Sequence, residues 1–264
     1  MVRAAGVYGQ VRAGITTLSQ DGMTPMQQLA SINKFAAKLV AEEQALWQTI
    51  KSELSQAGLS VLQAEELSGS ERDWLEQLFL TRIFPILTPI AADPAHPFPF
   101  IPNKAMVIVV ELVRPADGKA MNGLIPIPGA LERFIRLEAN PAKPKDIRFV
   151  RLESAIGLFI GELFSGFDIE SQGAFRVLRD SDIELQEEAE DLVRSYESQL
   201  KRRRRGNVIR LEIEARMPER LQKFVIEELE VREESVFVKD GILALADPSQ
   251  LIIGDRPDLM FKPF

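Results

Sequence analysis

The 264-residue sequence contains no cysteine and a single histidine, His96. Without cysteine there is no disulfide, no zinc–thiolate site and no thiol nucleophile, and one imidazole cannot form a histidine pair around a metal. No apolar run reaches the roughly 18–20 residues that span a bilayer, and the opening MVRAAGVYGQVRAG lacks the sustained apolar core of a secretory signal. Cytoplasmic residence is therefore expected, with peripheral membrane association left open. The phosphate-cradling G-x-x-x-x-G-K-[ST], the dinucleotide G-x-G-x-x-G and the hydrolase G-x-S-x-G are all missing. A net charge of −7 and a pI near 5.1 argue against nucleic-acid binding, DNA included.

The remaining composition, 45% hydrophobic and 27% charged, is that of a globular protein with one large or two smaller domains. Thr24 and Gln27 have capping-box spacing, with Pro25 at the first helical position. Met26, Leu29, Ile32, Ala36, Leu39, Leu46, Ile50 and Leu54 then recur at helical spacing to Gly58, a left-handed stop. This predicts a helix over 25–57, about 50 Å long at 1.5 Å per residue, too long for a compact core and suited to an arm. Val2, Val7, Val11 and Leu18 read as the end of an earlier helix. A further helix is expected from Ser70 as N-cap with Asp73 at N3, burying Trp74, Leu75, Leu78, Phe79 and Ile83 before Pro85 stops it.

Ile83–Pro102, IFPILTPIAADPAHPFPFIP, holds six of the 16 prolines and His96. Fixed φ and missing donors exclude helix and disfavour a central strand, yet the segment is rich in isoleucine and phenylalanine. It reads as a rigid apolar connector between helical and strand-bearing sequence. Strands are predicted at Met106–Val113 (covered on both faces), Leu124–Ile127, Ile147–Leu152, Ala174–Leu178, Val208–Glu214 and Ser235–Lys239. Helices are predicted at Ser154–Phe164, Ile183–Arg205 and Pro218–Glu230, the last with Pro218 at N1. In Val208–Glu214, Ile209, Leu211 and Ile213 point inward and Arg210, Glu212 and Glu214 outward. The fold class is α+β: a long helical arm, then a mixed α/β domain.

Few residues suggest chemistry. Lys201, Arg202, Arg203, Arg204 and Arg205 close the helix that opens with Asp180, Asp182, Glu184, Glu187 and Glu188, a distribution that complements the helix dipole. Five cations exceed that need, so the run is also a candidate polyanion or subunit contact. His96, in Asp93-Pro94-Ala95-His96-Pro97, reads as a structural loop residue. Gly157 and Gly161 read as helix packing, and the pairs Glu42-Glu43, Glu187-Glu188 and Glu227-Glu228 as solvated faces. No catalytic, nucleotide-binding or metal-ligating residue emerges from pattern alone.

The proline connector carries a resemblance. Phe84–Ile90 and Asp93–Ile101 resemble the F-P-x-L-T-P-x-A-x-D-P-A-H-P-F-P-F-I signature of bacterial polyphosphate kinases, the long-chain polyphosphate-synthesising family. Met1–Gly6 resembles its M-V-R-V-A-G, Pro128–Leu137 its P-x-x-L-P-R-F-I-x-L, Phe175–Asp180 its F-R-V-T-R-D-x-D, and Arg256–Leu259 the R-P-D-L that leads to its catalytic region. The resemblance implies a four-domain enzyme that moves the terminal phosphate of ATP reversibly onto polyphosphate, with magnesium, through a phosphohistidine. It places both catalytic histidines and the phosphate-holding arginines in C-terminal domains with no counterpart here, and the adenine-contacting asparagine just before Met1. The chain is then expected to be a fragment: 1–58 the end of the helical N-terminal domain, 59–264 the head domain. Its expected partners are the missing catalytic domains, a second copy through the head, and conceivably polyphosphate. A standalone interaction or scaffold module is the alternative, and a reading frame continuing past Phe264 distinguishes the two.

Overall fold

The computed structural model describes residues 2–92, 98–139, 146–180 and 206–261. Two helices form the arm, α1 (Val2–Arg12) and α2 (Pro25–Gln56). Helix α2 starts as expected: the Gln27 amide donates to Thr24 Oγ1, and Gln27 Oε1 accepts from the Thr24 amide at 2.9 Å. Gly58, at φ 85°, ends it.

The buried stripe of α2 differs from the expected one. Leu29, Val40, Gln44 and Trp47 face inward, whereas Met26, Ile32, Phe35, Leu39, Leu46 and Ile50 are exposed. Ile32, Leu39 and Leu46 follow a seven-residue step, so the helix carries two faces with helical periodicity, and the inner one is partly polar. Apolar spacing found Leu29 and Leu54, which pack inward, but most of the residues it selected lie on the exposed face.

The head contains two sheets. A three-stranded sheet has the order β1-β6-β5, from β1 (Leu59–Leu62), β5 (Phe134–Arg136) and β6 (Ile147–Arg151), with β1 parallel and β5 antiparallel to β6. A six-stranded sheet has the order β2-β4-β3-β7-β8-β9, from β2 (Ile90–Ala92), β3 (Met106–Val113), β4 (Ala120–Pro126), β7 (Asp168–Arg179), β8 (Val208–Glu214) and β9 (Val236–Lys239). All its pairings are antiparallel except β8 with β9, which are joined through α6 (Glu219–Glu228). The fold is thus α+β, a helical arm followed by a mixed α/β domain.

Several elements differ at their edges. Helix α3 (Gly69–Leu78) is capped by Ser68 and Glu71, not Ser70 and Asp73, because the Glu71 carboxylate is long enough to accept from the Ser68 amide at 2.9 Å. It runs on through a π turn, Phe79–Ile83, and a 3-10 turn, Phe84–Ile86, that tolerates Pro85 near its start. The connector then supplies β2, an edge strand, as its prolines require. Strand β7 begins six residues earlier than expected because its first half is polar, and β4 begins four residues earlier. The helix expected at Ser154–Phe164 is two pieces, α4 (Leu152–Leu158) and α5 (Ile160–Leu163), broken at Phe159, whose φ and ψ are −112° and 21°. Pro218 caps α6 from outside at ψ 143° instead of occupying its first turn.

Central β3 is covered on both faces. Met106, Ile108, Val110 and Leu112 pack with Leu75 of α3, Phe79 of the π turn and Ile156 of α4, while Val107 and Val109 join Phe175, Leu211, Ile213, and Leu221 and Val225 of α6. A third core joins Trp47 of α2 to Leu59, Val61, Phe134, Phe149, Ile242 and Leu251.

The side of β8 read as outward is not solvated. Glu212 is 3% exposed, and three cations surround it: Lys239 Nζ at 3.2 Å, Arg210 Nε at 3.2 Å and Arg176 Nη1 at 3.5 Å. Helix α2 lies against β9 and adds Glu43 to Lys239 at 3.5 Å, so Glu43 is also not simply part of a solvated face. At the next residue, the Gln44 side chain donates to the Ile242 carbonyl at 3.1 Å and accepts from its amide at 2.9 Å. Gly241 is required beside it, since a Cβ there would collide with Gln44 Oε1. Glu212→Gln strands three cations around a neutral amide, and a loss of about 3–5 kcal/mol is expected in urea unfolding. A loss below about 1 kcal/mol would show that the cations are solvated instead.

Candidate cleft between the arm and the head

Where α2 crosses between the two sheets, two adjoining cavities of about 180 and 320 Å³ share Gln63, Arg151, Glu214 and Arg216 in their linings. Trp47 and Lys51 of α2, with Lys239 and Gly241 at the end of β9, line the smaller. Ser154, Gly157 and Gln172 line the larger. The Gln172 amide donates to the Gly157 carbonyl at 3.1 Å, and a Cβ on Gly157 would press on Gln172 at 3.2 Å. Gly157 is therefore a packing glycine, as expected, whereas Gly161 has open space around it.

Arg151 ends β6 at the centre of the cleft. Behind it, Arg133 holds Glu153 at 2.6 Å and Asp247 at 2.8 Å and donates to the Leu243 carbonyl at 2.6 Å. Burial works against both charges of the Arg133–Glu153 pair. For Glu153 the hydrogen bonds and charge of Arg133, then the charge of Arg151, outweigh it and hold the carboxyl below its ordinary 4.5. For Arg133, Glu153 and then Asp247 outweigh it and raise the guanidinium. This network ties β5 and β6 to the segment after β9.

Arg151 receives only the remainder: Glu153 at 3.4 Å, Gln63 Oε1 at 3.2 Å and the Gly241 carbonyl at 3.3 Å. Lys51 and Arg216 have no ion-pair partner among the described residues. Nothing in the sequence pattern singles these residues out, because they are brought together from α2, β6 and the turn after β8. The one available signal is a pair of arginines, Arg148 and Arg151, bracketing an apolar strand.

His96 and the run Lys201–Arg205 lie outside the described residues, as does Glu187-Glu188. Glu227-Glu228 is exposed on α6. Among the described residues no three His, Cys, Asp or Glu side chains converge as metal ligands. No helix among them is long and apolar enough to cross a membrane.

A family profile described as the polyphosphate kinase middle domain matches residues 70–251, and one described as the polyphosphate kinase N-terminal domain matches 1–62. The chain belongs to the polyphosphate kinase family. The polyphosphate kinase of Erythrobacter litoralis (strain HTCC2594) is 41% identical over all of this chain, and that of Prochlorococcus marinus (strain MIT 9313) is 38% identical over 94% of it. The chain spans 36% of the length of each. The crystal structure of polyphosphate kinase from Porphyromonas gingivalis matches all of this chain and 41% of its own with a TM-score of 0.65 at 18% identity, which shows a common fold. The family members so matched are transferases roughly three times as long as the segment described here.

The buried pair at the base of the cleft has a pH signature. Since the folded Glu153 carboxyl titrates below its ordinary 4.5, its contribution is present above that value and is lost as pH falls through the lower folded value. Melting temperature is expected to fall as pH drops below about 4.5, and to fall less steeply in Glu153→Gln, which is less stable throughout. Equal slopes in the two proteins would remove Glu153 from the acid response.

Proposed function

We propose that this chain is the N-terminal and head portion of an enzyme that transfers the terminal phosphate of ATP reversibly onto polyphosphate, and that it serves assembly and not the chemical step. The observation that carries this reading is the continuous match of the whole chain to about a third of full-length polyphosphate kinases. A boundary near Leu59, with 1–58 the end of the N-terminal domain and 59–264 the head, has its support in the pairing of β1 with β6, while the two profile matches change over slightly later, between 62 and 70. A phosphohistidine relay with a second catalytic histidine needs two imidazoles, and this sequence has one. In-line phosphoryl transfer further needs groups that neutralise the transferred charge, which by resemblance reside in the C-terminal domains together with the ATP and magnesium sites.

The exposed side of α2 supports an assembly role. Ile32, Phe35, Leu39, Leu46 and Ile50 line one face of the helix, and a contiguous apolar surface of this kind marks an interaction region. Head-mediated association of two copies and a polyanion contact at Lys201–Arg205 belong to the same proposal. The enzyme works in the cytoplasm.

Two measurements test the proposal. Purified 1–264, given ATP, magnesium and a polyphosphate primer, is expected to form no polymer above buffer; sustained turnover overturns the assignment of chemistry elsewhere. In the complementary experiment the chain replaces the matching third of the Erythrobacter litoralis enzyme. ATP-to-polyphosphate transfer is expected to persist, and a folded, inactive chimera counts against the family role.

A further inference from the structure

We propose that the cleft between arm and head binds a phosphate-class oxyanion, held by Arg151, Arg216 and Lys51. The inference stands on the geometry of the cleft and does not depend on the catalytic reading above. Arg151 is the anchoring group. Its side chain is 8% exposed, yet its acceptors lie at 3.2–3.4 Å, because Arg133 takes the short contacts to Glu153. Its guanidinium keeps these three longer contacts and still lines both cavities, so it is placed to take an anion that enters the cleft. The planar donor fork of arginine matches phosphate geometry.

Two more cations line the smaller cavity without a partner among the described residues, Lys51 from α2 and Arg216 from the turn after β8. The fourth lining cation, Lys239, is engaged with Glu212 and Glu43 and contributes field only. The lining carboxylates limit the affinity without cancelling the cations. Glu66 is occupied in accepting from the Gln63 amide at 2.6 Å, whereas the Glu214 and Asp240 carboxylates have no side-chain partner among the described residues and sit at the lining as competing negative charge. At about 180 Å³, the cavity holds several groups of water size, each taking about 30 Å³, which suits one phosphate or a diphosphate. An anion there would join α2, β6 and the β8–α6 turn, so its binding would stiffen the junction of arm and head.

The test is calorimetric titration of the 264-residue protein with pyrophosphate at low salt. Saturable one-site binding is expected. Arg216→Gln and Lys51→Gln, both at sites with no internal partner, are expected to weaken it at least about tenfold each, while Glu214→Gln is expected to strengthen it. Replacing Arg202–Arg205 with glutamine should leave the affinity within twofold (roughly the precision expected of such a comparison). A parallel titration with ADP separates the two sources of the ligand. Affinity equal to that of pyrophosphate assigns the phosphoryl end of a larger molecule, and weaker affinity assigns a free ion. Binding that survives Arg216→Gln and Lys51→Gln together, or that disappears with Arg202–Arg205, overturns the proposal, as does the absence of binding.

Discussion

The arm is joined to the head by charge placed where a sheet face would ordinarily be apolar. Glu212 lies beneath α2 with Arg176, Arg210 and Lys239 around it, and that carboxylate permits the helix to lie over the six-stranded sheet. Buried ion clusters contribute little net stability, because desolvation offsets most of the attraction. They are exacting about position, however, since a shifted helix would leave charges unpaired. Gln44, next to Glu43 and bonded to both backbone groups of Ile242, fixes the register, and Trp47, about one turn on, closes the seam in an apolar cluster. Apolar contacts thus bracket the polar ones along α2: Leu29 packs with Tyr8 and Ile209 near its start, then come Glu43 and Gln44, then Trp47.

The same arrangement explains what the sequence revealed and what it concealed. Strand Val208–Glu214 and the start of α2 were legible because period-2 alternation and a capping box are local signals. The burial of Glu212 was not legible. Alternation records only that one face is apolar, and the covering of the polar face came from a helix more than 150 residues away in the chain. The buried side of α2 was misread for a related reason: Gln44 looks like a solvent residue until its backbone partner is known, while Leu39 and Leu46 look like core. Strand order was beyond pattern analysis, as was the cleft, whose three cations come from separate elements.

Family membership was legible in a stretch in which pattern alone pointed to no chemistry. The proline connector is distinctive because its backbone is constrained: a helix must turn through a π and a 3-10 segment, bury Ile83 and Leu87, and emerge as an edge strand. Few sequences satisfy all of these requirements at once. A residue such as Arg151 meets only the general requirement of a charge beside a cavity, so its environment had to be seen before its role could be inferred.

The contact between Gly241 and Gln44 restricts how this protein can change over time. Any side chain at position 241 would occupy the volume of the Gln44 carboxamide oxygen. Replacement of Gly241 thus displaces the Gln44 amide and strains the backbone at φ 155°, and shortening residue 44 to make room strands both backbone groups of Ile242. The path runs through a less stable intermediate in either order, which makes the two positions epistatic and the junction of arm and head slow to diverge.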